Sequence, residues 1–202
     1  MNHRDGLDKF VSDLCVEMMN TREIARQILS EIDNVLQQID EEQVACFRAA
    51  TRQARRIFTY SVGREGLVLR SFAMRLMHLG LEVGVVGEMT TGPIGPGALL
   101  IVSAGPGYLS TVEALMNVAR QAGGRVALLT ARPEAELARK ADLLLVIPGQ
   151  TMAEGAPATS LQPLGSVFEQ ALWVLLDAIV IQLKEELGET DESMAQRHTN
   201  LE

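Results

Sequence analysis

The sequence predicts an α/β protein in which a parallel sheet is covered by helices on both faces and is preceded by a helical arm. Residues 7–54 repeat apolar side chains at helical spacing and contain no glycine. After Arg56, short apolar runs alternate with helical segments, which is typical of βαβ units. The run Leu99–Val102 is apolar throughout, as expected of a strand that is buried on both faces.

The helical arm covers residues 1–54, and residues 55–202 form the domain that holds the sheet. Phe10 and Leu14 begin the apolar stripe of the arm, and Ile, Val and Leu side chains continue it to Ile39. Such a stripe needs a packing partner, so we expect the arm to lie on its own domain or across an oligomer interface.

Five strands and four helices are predicted after the arm. The strands are Ile57–Tyr60, Glu82–Val86, Ala98–Ser103, Arg125–Thr130 and Asp142–Ile147. The helices are Gly66–Leu79, Leu109–Ala122, Pro133–Lys140 and Ser166–Leu187. Gly80 and Gly123 stand where helices commonly end. Residues 148–163 are rich in turn formers, which predicts a loop, and a short polar helix is expected after Gly188.

Composition limits the partners of the chain. Of the 202 residues, 47% are hydrophobic and 22% are charged, which is typical of one globular domain. The formal net charge is −8 and no dense run of Lys and Arg is present, so we expect no nucleic acid and no membrane surface as a partner. The first residues carry charges of both signs and no apolar signal core, so we expect a cytoplasmic protein.

The sequence also shows no sign of a membrane span, a metal or a cofactor. The longest apolar run, Ala171–Leu183, is interrupted by Asp177 and is shorter than the roughly 20 residues of a bilayer span, which predicts a buried helix. Cys15 and Cys46 lie on predicted helices without metal-ligand spacing, so we expect buried, reduced thiols and no metal. No nucleotide-binding motif is present.

Ligands of open parallel sheets bind beyond the carboxyl ends of the strands, and three predicted loops leave those ends. The first, Ser61–Gly66, contains Arg64 and Glu65 ahead of a helix. A guanidinium at Arg64 can hold an anion bidentately. A structural ion pair of Arg64 with Glu65 or Glu88 explains the same pattern equally well.

The other two loops are rich in turn formers. The second, Glu88–Gly97, offers the hydroxyl groups of Thr90 and Thr91, which can contact a ligand or close local backbone turns. The third, Ser103–Thr111, is rich in glycine and leads into a helix, so its N–H groups can cradle an anion. Tight backbone packing is the alternative explanation of these glycines.

Two side chains are candidate proton carriers. Glu169 is predicted in the first turn of the last long helix, where a carboxylate can exchange a proton with a ligand or simply complement the helix dipole. His198 lies in the polar tail, where a solvated histidine is the alternative. His78, near a predicted helix end, is expected to complement the dipole or to pack in the core.

Residues 56–149 and 163–202 together resemble the 6-phospho-3-hexuloisomerase branch of the sugar isomerase (SIS) proteins. The matching motifs are Gly63-Arg64-x-Gly66, Phe72–Gly80, Val86-Gly87-Glu88, Gly165–Ala171, Leu176–Val180 and His198-x-Asn200-Leu201-Glu202. The resemblance implies a flavodoxin-like, doubly wound five-stranded parallel sheet. It also implies a homo-oligomer, a tetramer built as a dimer of dimers, and metal-free proton transfer between adjacent carbons of a small phosphosugar through an enediol.

The resemblance also implies roles for single residues. Glu169 matches the general base, and His198 matches the tail histidine that serves ring opening or proton relay, including at a neighbouring subunit's site. Arg64 and Thr91 match ligand-contacting positions. Further candidate ligand contacts, from the loops themselves, are Glu65, Thr90, Ser103, Gly105, Gly107, Ser110 and Thr111.

One loop departs from the family pattern. Where the family reads Ser-Gly-Ser-Gly-x-Thr, residues 104–109 read Ala-Gly-Pro-Gly-Tyr-Leu and lack all three hydroxyls. Glu65 stands where the family usually has Ser, and its charge repels phosphate. Two functions therefore stay open: an isomerase that uses Glu169 and His198, and a non-catalytic sensor of a phosphosugar or a related acid sugar.

Overall fold

A computed structural model describes residues 19–153 and 160–201, so the predictions for Phe10, Leu14 and Cys15 lie outside the described residues. The strands are β1 Arg56–Tyr60, β2 Val83–Val85, β3 Ala98–Ser103, β4 Arg125–Thr130 and β5 Leu143–Val146. Every neighbouring pair is parallel and the order is β2-β1-β3-β4-β5. The predicted fold class is therefore confirmed.

Seven helices lie within the described ranges. They are α1 Thr21–Leu36, α2 Glu41–Gln53, α3 Gly63–His78, α4 Ser110–Gln121, α5 Glu136–Lys140, α6 Ser166–Leu187 and α7 Asp191–Gln196. Gly80 and Gly123 each follow a helix end with positive φ, as predicted. Helix α3 begins three residues earlier than predicted, so Arg64 and Glu65 lie in its first turn and not in a loop.

The core has two layers, one on each face of the sheet. All six residues of β3 are buried, and its side chains alternate between the layers. One layer holds side chains of α1, α2, α3 and α6, such as Phe47, Leu76 and Leu172. The other holds side chains of α4 and α5, such as Met116 and Leu137. Because both faces are covered, the strand reads as an unbroken apolar run.

The described part of the arm packs on the sheet domain. Asn20 accepts hydrogen bonds from the N–H groups of Arg22 and Glu23, and it starts α1 as a capping box. Phe47 of α2 is buried and its ring stacks on that of Phe72 at 6.2 Å. The side-chain oxygen of Gln43 accepts the N–H of Val146 at 2.9 Å, which satisfies a donor of edge strand β5.

Helix α6 is a core helix. It is the one helix of the described residues that is long and apolar enough to cross a membrane, yet 50% of its most apolar window is buried inside the protein. It packs against α1 and α3, and Leu172, Leu176 and Ile179 lie in the core. The predicted helix is therefore present, with one face buried in the core and the other face exposed.

The expectation of a buried thiol is wrong for Cys46, which is exposed. The inward face of α2 is made by Val44, Phe47, Ala50 and Thr51. At about 100° per residue, position 46 points away from that face, so the apolar character of cysteine does not decide its burial.

Candidate functional site

The candidate site lies between β1 and β3, where the order of the strands reverses. This is the place where open α/β sheets leave a crevice at the strand carboxyl ends. A cavity of about 100 Å³ is present there, and we call it the crevice. It is lined by Val62, Gly63, Arg64, Glu65, Pro106, Leu109, Thr151, Met152, Leu164, Gly165, Phe168 and Glu169.

The first turn of α3 is held tightly against the end of β1. A Cβ atom at Gly66 would lie 2.7 Å from the carbonyl oxygen of Ser61, so only glycine fits there. The hydroxyl of Ser61 in turn donates to the carbonyl oxygen of Ser103 at 2.8 Å. These contacts bring the first turn of α3 next to the loop that follows β3.

The carboxylate of Glu65 is bound by that glycine-rich loop. It accepts a hydrogen bond from the Ser103 hydroxyl at 2.5 Å, and its two oxygens lie 3.0 and 3.2 Å from the N–H nitrogen of Gly105. Burial raises the pKa of Glu65; the hydrogen bonds from Ser103 and Gly105 oppose this rise, and the charge of Glu169 adds to it. The predicted anion cradle therefore holds an anion that belongs to the protein itself.

Gly105 also packs tightly, so both explanations of this glycine apply. A Cβ atom there would lie 2.6 Å from the ring of Phe168 and 2.9 Å from the carboxylate of Glu65. Phe168 is not among the residues predicted from the sequence, although it immediately precedes Glu169. Its ring places the start of α6 against the loop after β3.

Arg64 forms an ion pair with Glu169 across the crevice. Neither acidic partner weighed from the sequence is correct, because Glu65 binds the loop and Glu88 pairs with Arg70 at 3.6 Å. The side chain of Glu169 is 14% exposed and that of Arg64 is 60% exposed. The pair therefore stands at the rim, with the carboxylate more enclosed than the guanidinium.

A second and larger cavity, of about 380 Å³, opens on the other side of this ion pair. We call it the lateral pocket, and it is lined by Ile32, Arg64, Leu67, Val68, Glu169, Gln170, Trp173 and Val174. The side-chain oxygen of Gln170 is buried and accepts no hydrogen bond within the described ranges. Trp173 follows Glu169 by four residues, so helical spacing alone could have placed it beside the carboxylate.

The second predicted loop is not brought to the crevice. The hydroxyl of Thr91 donates to the carbonyl oxygen of Val85 at 2.7 Å, which is the local turn that the sequence left as an alternative. Thr91 lines a separate cavity of about 220 Å³ together with Phe58 and Leu100, on the other face of the sheet. Thr90 is exposed in the same turn.

Three predicted contacts of the third loop, Gly107, Ser110 and Thr111, do not line the crevice. Gly107 is buried against Arg132 and Ala135, and its N–H donates to the carbonyl oxygen of Ala104 at 2.9 Å. Ser110 and Thr111 begin α4 with exposed side chains. Of the predicted contacts in this loop, Ser103 and Gly105 are therefore the ones joined to the crevice, through Glu65.

His198 lies at the opposite end of α3 from Arg64. Its ring stacks on that of His78 with centroids 5.1 Å apart, and Arg197 donates to the carbonyl oxygen of His78 at 2.8 Å. At about 1.5 Å per residue, the helix between Arg64 and His78 spans roughly 20 Å. One chain alone therefore does not bring His198 to Glu169. His78 is buried, in agreement with its expected core position.

No group of three or more His, Cys, Asp and Glu side chains within residues 19–153 and 160–201 is arranged to hold a metal ion. The crevice is lined by the carboxylates of Glu65 and Glu169 and by the guanidinium of Arg64.

Comparison with known proteins finds relatives over most of the chain. The family model described as SIS domain matches residues 51–174. A Bacillus subtilis protein named 3-hexulose-6-phosphate isomerase is 37% identical over 186 residues, which cover 91% of this chain and 100% of the relative. A Mycobacterium gastri protein of the same name is 38% identical over 198 residues, which cover 98% of this chain and 96% of the relative.

A solved structure supports the same grouping. A Methanococcus jannaschii protein, for which a molecular function of 3-hexulose-6-phosphate isomerase is inferred, superposes with a TM-score of 0.75 and is 26% identical. The match covers 86% of this chain and 98% of that chain.

Proposed function

The chain belongs to the SIS domain family, and on this premise we propose that it is a sugar-phosphate isomerase acting on a ketose phosphate of the 3-hexulose 6-phosphate type. The relatives at 37% and 38% identity that carry this name support the reaction class. The assignment of catalytic roles to single residues rests on one observation: Arg64 holds the carboxylate of Glu169 at the rim of the crevice.

In this proposal Glu169 is the general base. Its carboxylate removes the proton from the hydroxyl-bearing carbon next to the sugar carbonyl, and the electron pair forms an enediolate whose charge lies on the former carbonyl oxygen. That oxygen gains a proton while the neighbouring hydroxyl loses one, and the carboxyl group of Glu169 returns its proton to the former carbonyl carbon. The carbonyl thereby moves by one position and no atom is gained or lost. Arg64 exchanges its contact with Glu169 for the oxygen atoms of the ligand, where its charge stabilises the intermediate.

The proposed role of His198 requires a second subunit. Within one chain the length of α3 separates His198 from Glu169. In this proposal His198 therefore serves ring opening or proton relay in the crevice of a neighbouring subunit. Exposed apolar side chains that line the lateral pocket or lie further along α6 support a homo-oligomer, which we propose to be a dimer of dimers. They are Leu67, Trp173, Val174 and Ile181. An apolar group of this kind is typical of a subunit interface.

Solvent exchange tests the reaction. The purified protein should transfer deuterium from solvent into 3-hexulose 6-phosphate, and Glu169→Gln should stop the transfer because an amide cannot accept the proton. Glu185→Gln is the matched control, since Glu185 is exposed on the same helix. Exchange that survives Glu169→Gln would remove the proposed base, and no exchange in the unmodified protein would remove the isomerase.

The molar mass in solution tests the assembly. We expect a tetramer by light scattering, and we expect Ile181→Asp to lower the mass because it places a charge among the exposed apolar side chains. A monomer in the unmodified protein contradicts the proposal. We also propose a cytoplasmic location, which fractionation of the source cells tests.

A non-catalytic phosphosugar sensor is the second candidate. The observation that favours it is the occupied loop, because Ser103 and Gly105 already donate to Glu65. Thermal stabilisation by a sugar phosphate without turnover would support the sensor, and turnover would exclude it.

A further inference from the structure

We infer that Glu65 is a specificity-determining residue, whose carboxylate fills the donors of the loop after β3 as a tethered anion and so weakens the binding of phosphate groups in the crevice. The inference rests on the proposed sugar ligand. Its test, however, needs binding only and no turnover.

The donors at the start of the loop after β3 are already occupied. They are the hydroxyl of Ser103, which is fully buried, and the N–H of Gly105, and both point at the carboxylate of Glu65. Pro106 has no N–H, and the N–H of Gly107 is bonded within the loop. A phosphate that enters this part of the crevice must therefore displace Glu65 to find these donors.

The charge of the crevice also opposes phosphate. Two carboxylates, Glu65 and Glu169, line the crevice, whereas Arg64 is the one cation among its described lining residues. Arg64 already pairs with Glu169. A phosphate dianion therefore meets a net negative site, and it gains a cation only by opening that pair.

The carboxylate of Glu65 is held in place from both sides. Gly66 fixes the first turn of α3 against Ser61, and the tight packing of Gly105 on Phe168 fixes the loop. The side chain of Glu65 therefore connects the first turn of α3, which follows β1, to the loop after β3, and it is a fixed part of the site. A neutral sugar hydroxyl can donate to this carboxylate, whereas the unprotonated oxygens of a phosphate cannot.

This arrangement predicts a preference of the crevice among sugar ligands. The crevice favours a sugar that presents hydroxyl groups to the loop after β3, with any phosphate held away from Ser103 and Gly105. Shortening Glu65 to Ser frees both donors and removes one negative charge, so this single change should convert the loop into a phosphate site.

Calorimetric titration of the full chain with inorganic phosphate at about pH 8 tests the inference. We expect Glu65→Ser to bind phosphate about tenfold or more tightly than the unmodified protein, because charge-assisted bonds replace a repulsion. Glu65→Gln should fall between the two, since the amide keeps an acceptor on the donors but loses the charge. Glu82→Ser, an exposed glutamate next to β2, is the matched control and should leave phosphate affinity unchanged.

Equal phosphate affinity of the unmodified protein, Glu65→Gln and Glu65→Ser would overturn the inference. If Glu65→Ser does not fold, as judged by circular dichroism, the comparison with Glu65→Gln decides. This result is independent of the isomerase proposal. Deuterium exchange can be absent while the variants still differ in phosphate affinity, and deuterium exchange can be present while they do not differ.

Discussion

Arg64 and Glu169 are 105 positions apart in the chain, yet the guanidinium of one and the carboxylate of the other form an ion pair at the rim of the crevice. They meet because α3 and α6 both begin at the carboxyl end of the sheet. Each lies in the first turn of its helix. The relationship places a carboxylate and a cation on opposite sides of one opening.

Replacement of Arg64 should therefore impair catalysis more than stability. We expect Arg64→Ala to lower kcat/KM for 3-hexulose 6-phosphate about 100-fold, because a preorganised cation facing the developing negative charge is lost. The free energy of unfolding should change by about 1 kcal/mol or less, since the Arg64 side chain is largely exposed. Steady-state kinetics and urea denaturation measure the two effects.

Arg70→Ala is the control for Arg64→Ala. Arg70 lies on the same helix and pairs with exposed Glu88 outside the crevice. Equal losses of kcat/KM in the two variants would mean that Arg64 acts through general surface charge and not at the site.

Gly105→Ala should destabilise the fold. Its Cβ atom would lie 2.6 Å from the ring of Phe168, so the ring or the loop would have to shift. Overpacking of this kind costs about 1–3 kcal/mol in the free energy of unfolding. Gly95→Ala is the matched control, because no atom lies within 4 Å of its added Cβ and its φ is not positive. Equal stability of the two variants in urea denaturation would contradict the close approach of Gly105 to Phe168.

The buried carboxyl of Glu65 should make stability depend on pH in a definite direction. Burial raises its pKa in the folded protein above the ordinary value of 4.5, so the folded state holds the proton to higher pH than the unfolded state. The stability that Glu65 contributes is therefore fully present below 4.5 and is lost as the pH rises through the folded pKa.

Glu65→Gln should remove this dependence, because the amide does not titrate. The free energy of unfolding of the unmodified protein, relative to Glu65→Gln, should fall as the pH rises above about 4.5. Urea denaturation at a series of pH values measures the difference. A difference that stays constant or rises over this range would show that the carboxyl is not destabilised by burial in the folded state.

Arg197→Ala should release the tail that carries His198. Arg197 donates to the carbonyl oxygen of His78 at 2.8 Å and to both carboxylate oxygens of Glu189 at 2.7 and 3.0 Å. Without these bonds, we expect faster amide hydrogen exchange over residues 189–198 and no change in α3. Arg139→Ala, on the surface near Glu134, is the control. Unchanged amide hydrogen exchange over residues 189–198 would mean that contacts other than those of Arg197 hold the tail in place.

Much of the fold follows from local patterns in the sequence. The apolar runs at β1, β3 and β4 predict strands at the positions found, because a strand covered on both faces tolerates few polar residues. The predicted start of α3 is three residues late. Gly63 and Gly66 look like loop residues, whereas Gly66 is required by its close approach to Ser61.

The partners of the charged residues cannot be predicted in the same way. The sequence suggests Glu65 or Glu88 as an ion-pair partner of Arg64, but the partner is Glu169 on a distant helix. The carboxylate of Glu65 binds Gly105, 40 positions away. Which charged residues pair over such separations depends on which strand ends are neighbours in the sheet. The periodicity of apolar residues in the sequence does not contain that information.

The sequence alone determined the class of the fold, the order of its elements and the candidates Glu169, Arg64, Glu65 and His198, because burial imposes periodic patterns and loops concentrate polar and glycine residues. Only the tertiary structure decided which candidates meet. It joined Glu169 to Arg64 and Glu65 to Gly105, and it placed His198 at the far end of α3. The physical reason is that hydrogen bonds and ion pairs act over a few ångströms, so the packing of α3, α6 and the loop after β3 selects the partners.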